Sequence, residues 1–105
     1  MTDVAISSQD FWFKVVGMLQ QNWALIEHTP STDEVTVYFI GDTSGVFDQL
    51  AFATEAEARE ALRRNGFERL EESPESRRFL TPPSAPFHHR PHPNGPIYSS
   101  GRFWR

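Results

Sequence analysis

Apolar residues recur at three- and four-residue spacing near the start of the chain, where Phe11, Val15, Met18 and Leu19 are joined by Trp12 and Val16. That spacing predicts an amphipathic helix over 8–22, N-capped by Ser7, with Gln9, Asp10, Lys14, Gln20 and Gln21 on its polar face. Phe13 falls outside the stripe and is expected to be partly exposed or covered by another segment. Gly17 costs such a helix about 1 kcal/mol relative to alanine. From residue 23 the period changes. Strands are predicted over 23–29 and 34–40, the second alternating Val35, Val37 and Phe39 against Thr36, Tyr38 and Ile40. A third is predicted over 46–53, where Val46, Leu50 and Phe52 share a face with Asp48 while Phe47 points the other way. The polar connections Thr29-Pro30-Ser31-Thr32-Asp33 and Gly41-Asp42-Thr43-Ser44-Gly45 are of hairpin length, which argues for an antiparallel meander.

The strongest local signal comes next. Thr54-x-x-Glu57 is a capping box, with Glu55 and Glu57 at the positive end of the helix dipole and Arg59, Arg63 and Arg64 toward the negative end. Ala58, Ala61 and Leu62 form the apolar stripe, and Asn65-Gly66-Phe67 is a Schellman-type stop in which Phe67 meets Leu62. Residues 67–72 make a short charged edge strand, and from Ser73 the periodicity ends. The predicted fold is a two-layer α+β domain of order α-β-β-β-α: an N-terminal helix, a three-stranded antiparallel meander and a second helix, with a short fourth strand. A Pro-rich extended tail packs on that body.

Charge divides the chain. Residues 77–105 hold five arginines and no acid, whereas residues 1–76 hold all fourteen acids against five bases, formal charges of +5 and −9. The same tail carries six of the eight prolines, three of the four histidines and five of the fourteen aromatics. The division is therefore a small α+β domain over 1–76 and a basic, proline- and aromatic-rich extension over 77–105, docked rather than free, because disordered tails are poor in aromatics. Nine of the ten basic residues are arginine, a bias that a GC-rich bacterial genome also produces, so no single tail arginine is marked as a chosen ligand.

Composition narrows the function classes. With no cysteine, disulfides, thiolate metal sites and cysteine nucleophiles are excluded. No run approaches 18 apolar residues, so no membrane span is expected. The first residues lack the basic and apolar regions of a secretory signal, which leaves a cytoplasmic location as the default.

Three candidate sites remain, besides the His28–Glu27 neighbours, each against a plainer reading. Gly41-Asp42-Thr43-Ser44-Gly45 imitates a nucleophile elbow, but it joins two predicted strands, where Asp and Gly serve a hairpin turn. His88, His89 and His92 offer imidazoles for a metal, yet intervening prolines forbid a helical pair and the tail supplies no acid to complete four ligands. His28 and Glu27 are adjacent on a strand and face opposite sides, so they form no acid–base pair. No cofactor or metal is expected.

The third candidate is the tail. Arg77-Arg78-Phe79, Phe87-His88-His89-Arg90 and Arg102-Phe103-Trp104-Arg105 interleave guanidinium groups with aromatic rings. Arg90, Arg102, Phe103, Trp104 and Arg105 are the candidate interaction residues. The leading expectation is a non-enzymatic protein-interaction module that binds a protein partner, or a second copy of itself, through this tail. The alternative is single-stranded nucleic-acid binding by the same residues, with arginines on phosphates and rings on bases.

Overall fold

The computed structural model describes residues 3–4, 6, 8–17, 20–41, 44–84 and 86–89. Its elements in chain order are β1 (Asp3–Val4), β2 (Phe11–Gly17), β3 (Gln20–His28), β4 (Val35–Ile40), β5 (Gly45–Phe52), α1 (Glu55–Arg64), β6 (Glu68–Arg69), a 3-10 turn (Leu70–Glu72), α2 (Pro74–Phe79) and β7 (Phe87–His89). The strands form one seven-stranded sheet of order β1-β7-β5-β4-β3-β2-β6. It is mixed: β5 and β7 run parallel, and the other pairs are antiparallel.

This overturns the expected α-β-β-β-α order, because the predicted first helix over 8–22 does not exist. Of its described residues, 8–10 are irregular and the others are β2 and the beginning of β3, paired from Phe11↔Leu25 to Gly17↔Gln20. Phe11-Trp12-Phe13 is a run of aromatics suited to a strand. Phe13 and partly buried Phe11 join the apolar cluster on one face, while Trp12 is buried in the cluster on the other. A strand apolar on both faces is apolar at consecutive positions, and consecutive positions also satisfy a helical stripe. Phe13, expected to be partly exposed or covered by another segment, is covered and 2 % exposed. Ser7, Met18 and Leu19, the expected cap and part of the stripe, lie outside the described residues.

Each face then needs a cover. On β3, Trp23, Ala24, Leu25 and Ile26 are consecutive and all buried. Ala24 and Ile26 face a cluster completed by Val35, Val37, Phe39 and α1 with the turn after it, through Ala58, Leu62 and Phe67. Trp23 and Leu25 face the opposite cluster with Phe13, Ile40, Val46 and Phe87, packed by Ile6, Leu70 and Leu80. One face is therefore covered by a helix, and the other by the segment that returns across it from Leu70 to Phe87. That return includes the first part of the basic extension: Pro83 and Phe87 are buried, and β7 joins the sheet between β1 and β5.

Local signals explain the remaining elements. The Thr54 hydroxyl accepts the Glu57 N–H at 3.2 Å, and α1 stops at Gly66, φ 90°, where Phe67 donates to Leu62 O at 2.9 Å and Gly66 to Arg63 O at 3.2 Å. Those two bonds are the Schellman pair. Beyond Ser73, where no element was expected, Pro74 opens α2 from the first-turn position that proline favours. Between Phe39 and Ile40 the β4–β5 register shifts, so that Phe39 pairs with Asp48 and Ile40 with Val46. Phe47 is the extra residue of this bulge. The bulge moves Val46 to the face opposite Leu50 and brings Phe47 beside Phe39, ring centroids 6.4 Å apart, reversing the sides predicted for both.

The cap and the core row each carry a measurable cost. Thr54→Ala is expected to cost about 1 kcal/mol, read as a lower urea midpoint with an unchanged slope; a midpoint within error of the parent would contradict the cap. Ala24 lies in a cross-strand row between Trp12 and Phe39. Ala24→Leu is expected to overpack that row and cost about 1–3 kcal/mol or more in the same measurement.

Candidate functional site

The coil-covered face does not close completely. The described chain leading into Phe11 is pinned in place: Ser8 N donates to Glu27 Oε2 at 3.1 Å, Asp10 N to Ser8 Oγ at 3.2 Å, and Phe11 N to Gln9 O at 3.1 Å in a tight turn. On one side of this path is a hollow of about 330 Å³, walled by Ile6, Phe11, Pro82, Pro83 and Phe87, with Ser8, Gln9 and Ser84 at its polar margin. On the other side is one of about 400 Å³, lined by Gln9, Asp10, Phe11, Leu70 and Glu71. Gln9 and Phe11 line both, so the two hollows flank one ridge. The ridge is held firm, since the Phe11 ring stands edge-on to buried Trp23 with centroids 6.0 Å apart. The far wall is tied down by Ser44 Oγ, which donates to Ser84 O at 2.6 Å.

Beside the second hollow runs a chain of linked polar and charged side chains. His28 Nε2 lies 2.6 Å from Glu55, Glu55 lies 2.8 Å from Arg59, and Arg59 lies 3.9 Å from Asp10. Asp10 accepts from Arg69 Nε at 2.7 Å, and Arg69 continues to Glu72, which pairs with Arg63 at 3.1 Å. Arg63 closes the run over the ring of Trp12, 5.2 Å from its centroid. Arg69 is the junction, with Asp10, Glu71 and Glu72 all within ion-pair reach. Its pKa is raised above an already high ordinary value, first by the hydrogen bond to Asp10. The charge of Asp10, the bond to Glu72 and the charge of Glu71 add to this, against a burial effect that lowers it. A raised folded pKa stabilises below the unfolded value and is lost only as pH rises through the folded one, so Arg69 stays charged across the neutral range. Glu71, with its side chain 73 % exposed, is the carboxylate this junction presents outward at the hollow.

The expected sites are distributed differently. Arg90, Arg102, Phe103, Trp104 and Arg105 lie outside the described residues, as does His92. His88 is half-buried and His89 exposed on β7, and the described residues contain no group of three or more metal-binding side chains. Gly41 and Gly45 close the β4–β5 hairpin, Gly41 N donating to Gly45 O at 2.8 Å, with Ser44 in the left-handed region at φ 68°. That is a turn between antiparallel strands, which has no strand-to-helix elbow. Glu27 binds the Ser8 backbone while His28 pairs with Glu55, so those neighbours do diverge. Of Arg77-Arg78-Phe79, the Phe79 side chain is 83 % exposed on α2.

No known protein family, curated protein or solved structure matches the chain. Among the described residues, no helix is long and apolar enough to cross a membrane.

Asp10 and Arg69, which organise this region, carried little sequence signal. They are 59 positions apart, and Asp10 was placed on the polar face of a helix that is not there. A polar residue just before an aromatic run was the available hint.

The junction has a measurable signature. The Arg69 and Asp10 side chains are 19 % and 17 % exposed, so Arg69→Met, which leaves Asp10 without its main partner, is expected to cost about 2 kcal/mol. Among the described residues Arg64 pairs with Glu60 on the exposed side of α1, and Arg64→Ala is expected to cost about 0.5 kcal/mol or less. Equal losses in urea unfolding would mean that the junction is no stronger than a surface pair.

Proposed function

We propose that this protein is a non-enzymatic protein-interaction module whose receptor surface is the pair of hollows flanking Gln9 and Phe11. The observation that carries the reading is their unlike chemistry. One hollow is walled by proline and aromatic side chains, and the other presents Glu71 beside Asp10. An extended segment with an aromatic side chain and an arginine a residue or two apart matches both, its ring in the apolar hollow and its guanidinium on Glu71. Apolar burial supplies most of the affinity, and the charge sets orientation.

The segment Arg102-Phe103-Trp104-Arg105 has this chemistry, which makes those residues the ligand side of the module. The same residues suit single-stranded nucleic acid, but carboxylates at the hollow repel a polyanion, which favours a protein ligand.

Fluorescence anisotropy tests the reading with a fluorescein-labelled synthetic peptide of residues 97–105 as probe. The host is the full chain carrying Phe103→Ala and Trp104→Ala, so that its own segment does not compete. Saturable binding is expected with a Kd on the order of 10–100 µM, since a short segment offers few anchors. Glu71→Lys added to the host should weaken it about tenfold, the scale of one lost charge-assisted contact. No saturation up to about 1 mM, a limit above the Kd of ordinary weak modules, would overturn the reading.

A further inference from the structure

We propose that a third hollow, over Trp12, binds a small monocarboxylate, one oxygen accepting the Trp12 indole N–H and the other held by Arg63. Among the described residues this hollow shares no lining side chain with the two beside Phe11. The proposal therefore stands apart from their reading as a peptide receptor.

An orphaned donor is the first argument. Trp12 is 0 % exposed, and its Nε1 has no hydrogen-bond partner among the described residues. An indole N–H can only donate, and burying it unpaired forfeits its hydration without replacement. Native structures pair nearly all buried polar atoms, so an orphan at a hollow calls for an acceptor from outside the chain. Trp12 lines such a hollow, of about 200 Å³.

The surrounding side chains name the acceptor. β6 pairs Arg69 directly across from Trp12, and Ser73 Oγ fastens the next turn by donating to Arg69 O at 3.1 Å. From the last turn of α1, Arg63 lays its guanidinium 5.2 Å from the centroid of the Trp12 ring. These two arginines already hold one carboxylate between them. Glu72 accepts from Arg63 Nη2 at 3.1 and 3.4 Å and from Arg69 Nη1 at 3.5 Å. Well-made bonds of this kind measure about 2.7–2.9 Å, so Glu72 is a loosely held occupant. Its side chain is 49 % exposed, free to swing into solvent. Glu72 thus satisfies the arginines and leaves the indole unanswered. A ligand carboxylate has an oxygen for each: one for Trp12 Nε1, the other replacing Glu72 on Arg63. Arg69 keeps its shorter bond to Asp10, 2.7 Å.

Size and charge restrict the ligand further. The hollow is smaller than the roughly 300–1,000 Å³ of sites for drug-sized molecules, so only a short body follows the carboxylate. Buried Phe67 and the Trp12 ring offer that body an apolar floor. Glu68 and Glu72 also line the hollow and repel a second negative charge, which disfavours phosphate and dicarboxylates.

Sodium butyrate is the probe, added to the ¹⁵N-labelled full chain at constant ionic strength. The indole N–H signals are the readout, and triple-resonance assignment identifies that of Trp12 among the three tryptophans. The Trp12 signal is expected to move downfield and saturate with a Kd on the order of 1 mM, as a ligand of few atoms with one ionic contact allows. Arg63→Gln should weaken binding about tenfold or more, the scale of one lost charge-assisted contact. Glu72→Gln removes the resident carboxylate and should tighten binding about threefold, since the arginines then lack a competing anion. Both substitutions are at half-exposed side chains, and unchanged dispersion of the remaining signals shows that the fold is kept.

A Trp12 signal unmoved by butyrate up to about 50 mM, far above the expected Kd, overturns the proposal. An equal response to butyramide or to inorganic phosphate overturns the assignment to a carboxylate. Equal affinity in the parent and in Arg63→Gln overturns the role of the arginine and, with it, the site.

Discussion

Burial of β3 on both faces is the constraint on which the rest of the structure depends. Trp23, Ala24, Leu25 and Ile26 leave no residue of that stretch for solvent, so the sheet is stable only when each face is covered. A chain of 105 residues has one well-capped amphipathic helix for this purpose, and α1 covers the Ala24–Ile26 face. The other face is closed by chain arriving from both directions, residues 6–11 and the return from Leu70 to Phe87, which holds the 3-10 turn and the short α2 before an irregular stretch runs into β7. This explains why β7 pairs with β1 on one side and β5 on the other: the two short strands tether the two covering segments to the sheet.

A cover made of coil differs physically from one made of helix. A helix lays a continuous row of side chains into the sheet, whereas Pro82 and Pro83 keep the return extended and present rings with no flexible stems to fill gaps. Hollows on either side of Phe11 result, on the coil face of the sheet. The groove is thus a by-product of how the second face is closed, and its rigidity comes from contacts made for stability: Phe11 on Trp23, Ser44 on Ser84 and Ser8 on Glu27.

The Asp10–Arg69 pair plays a related part. It lies at the point where the N-terminal covering segment becomes β2 and where β6 closes that edge, with Trp12 paired to Arg69 and Phe13 to Glu68. β6 is only two residues long and could not hold an edge by its ladder alone. The guanidinium supplies the missing attachment, and its two further carboxylates leave Glu71 turned outward as the acidic margin of the groove. Stability of the sheet edge and character of the candidate site therefore come from the same side chain.

The features legible in the chain alone were local ones. The N-cap at Thr54, the stop at Gly66 and the turn closed by Gly41 and Gly45 are set by residues within a few positions of one another, and the structure has each at its expected place. The Ser73-Pro74 start of α2 was equally local, although its hydrophobic period was too short to announce a helix. The identity of residues 8–22 was not local. An apolar run fits a helix packed on one side as well as a strand packed on both, and only the arrival of α1 on one face and the 70–87 return on the other selects the strand. The bulge at Phe47, the 59-residue link from Asp10 to Arg69 and the groove itself likewise emerge only on packing, because each depends on which distant segment lies against which face of the sheet.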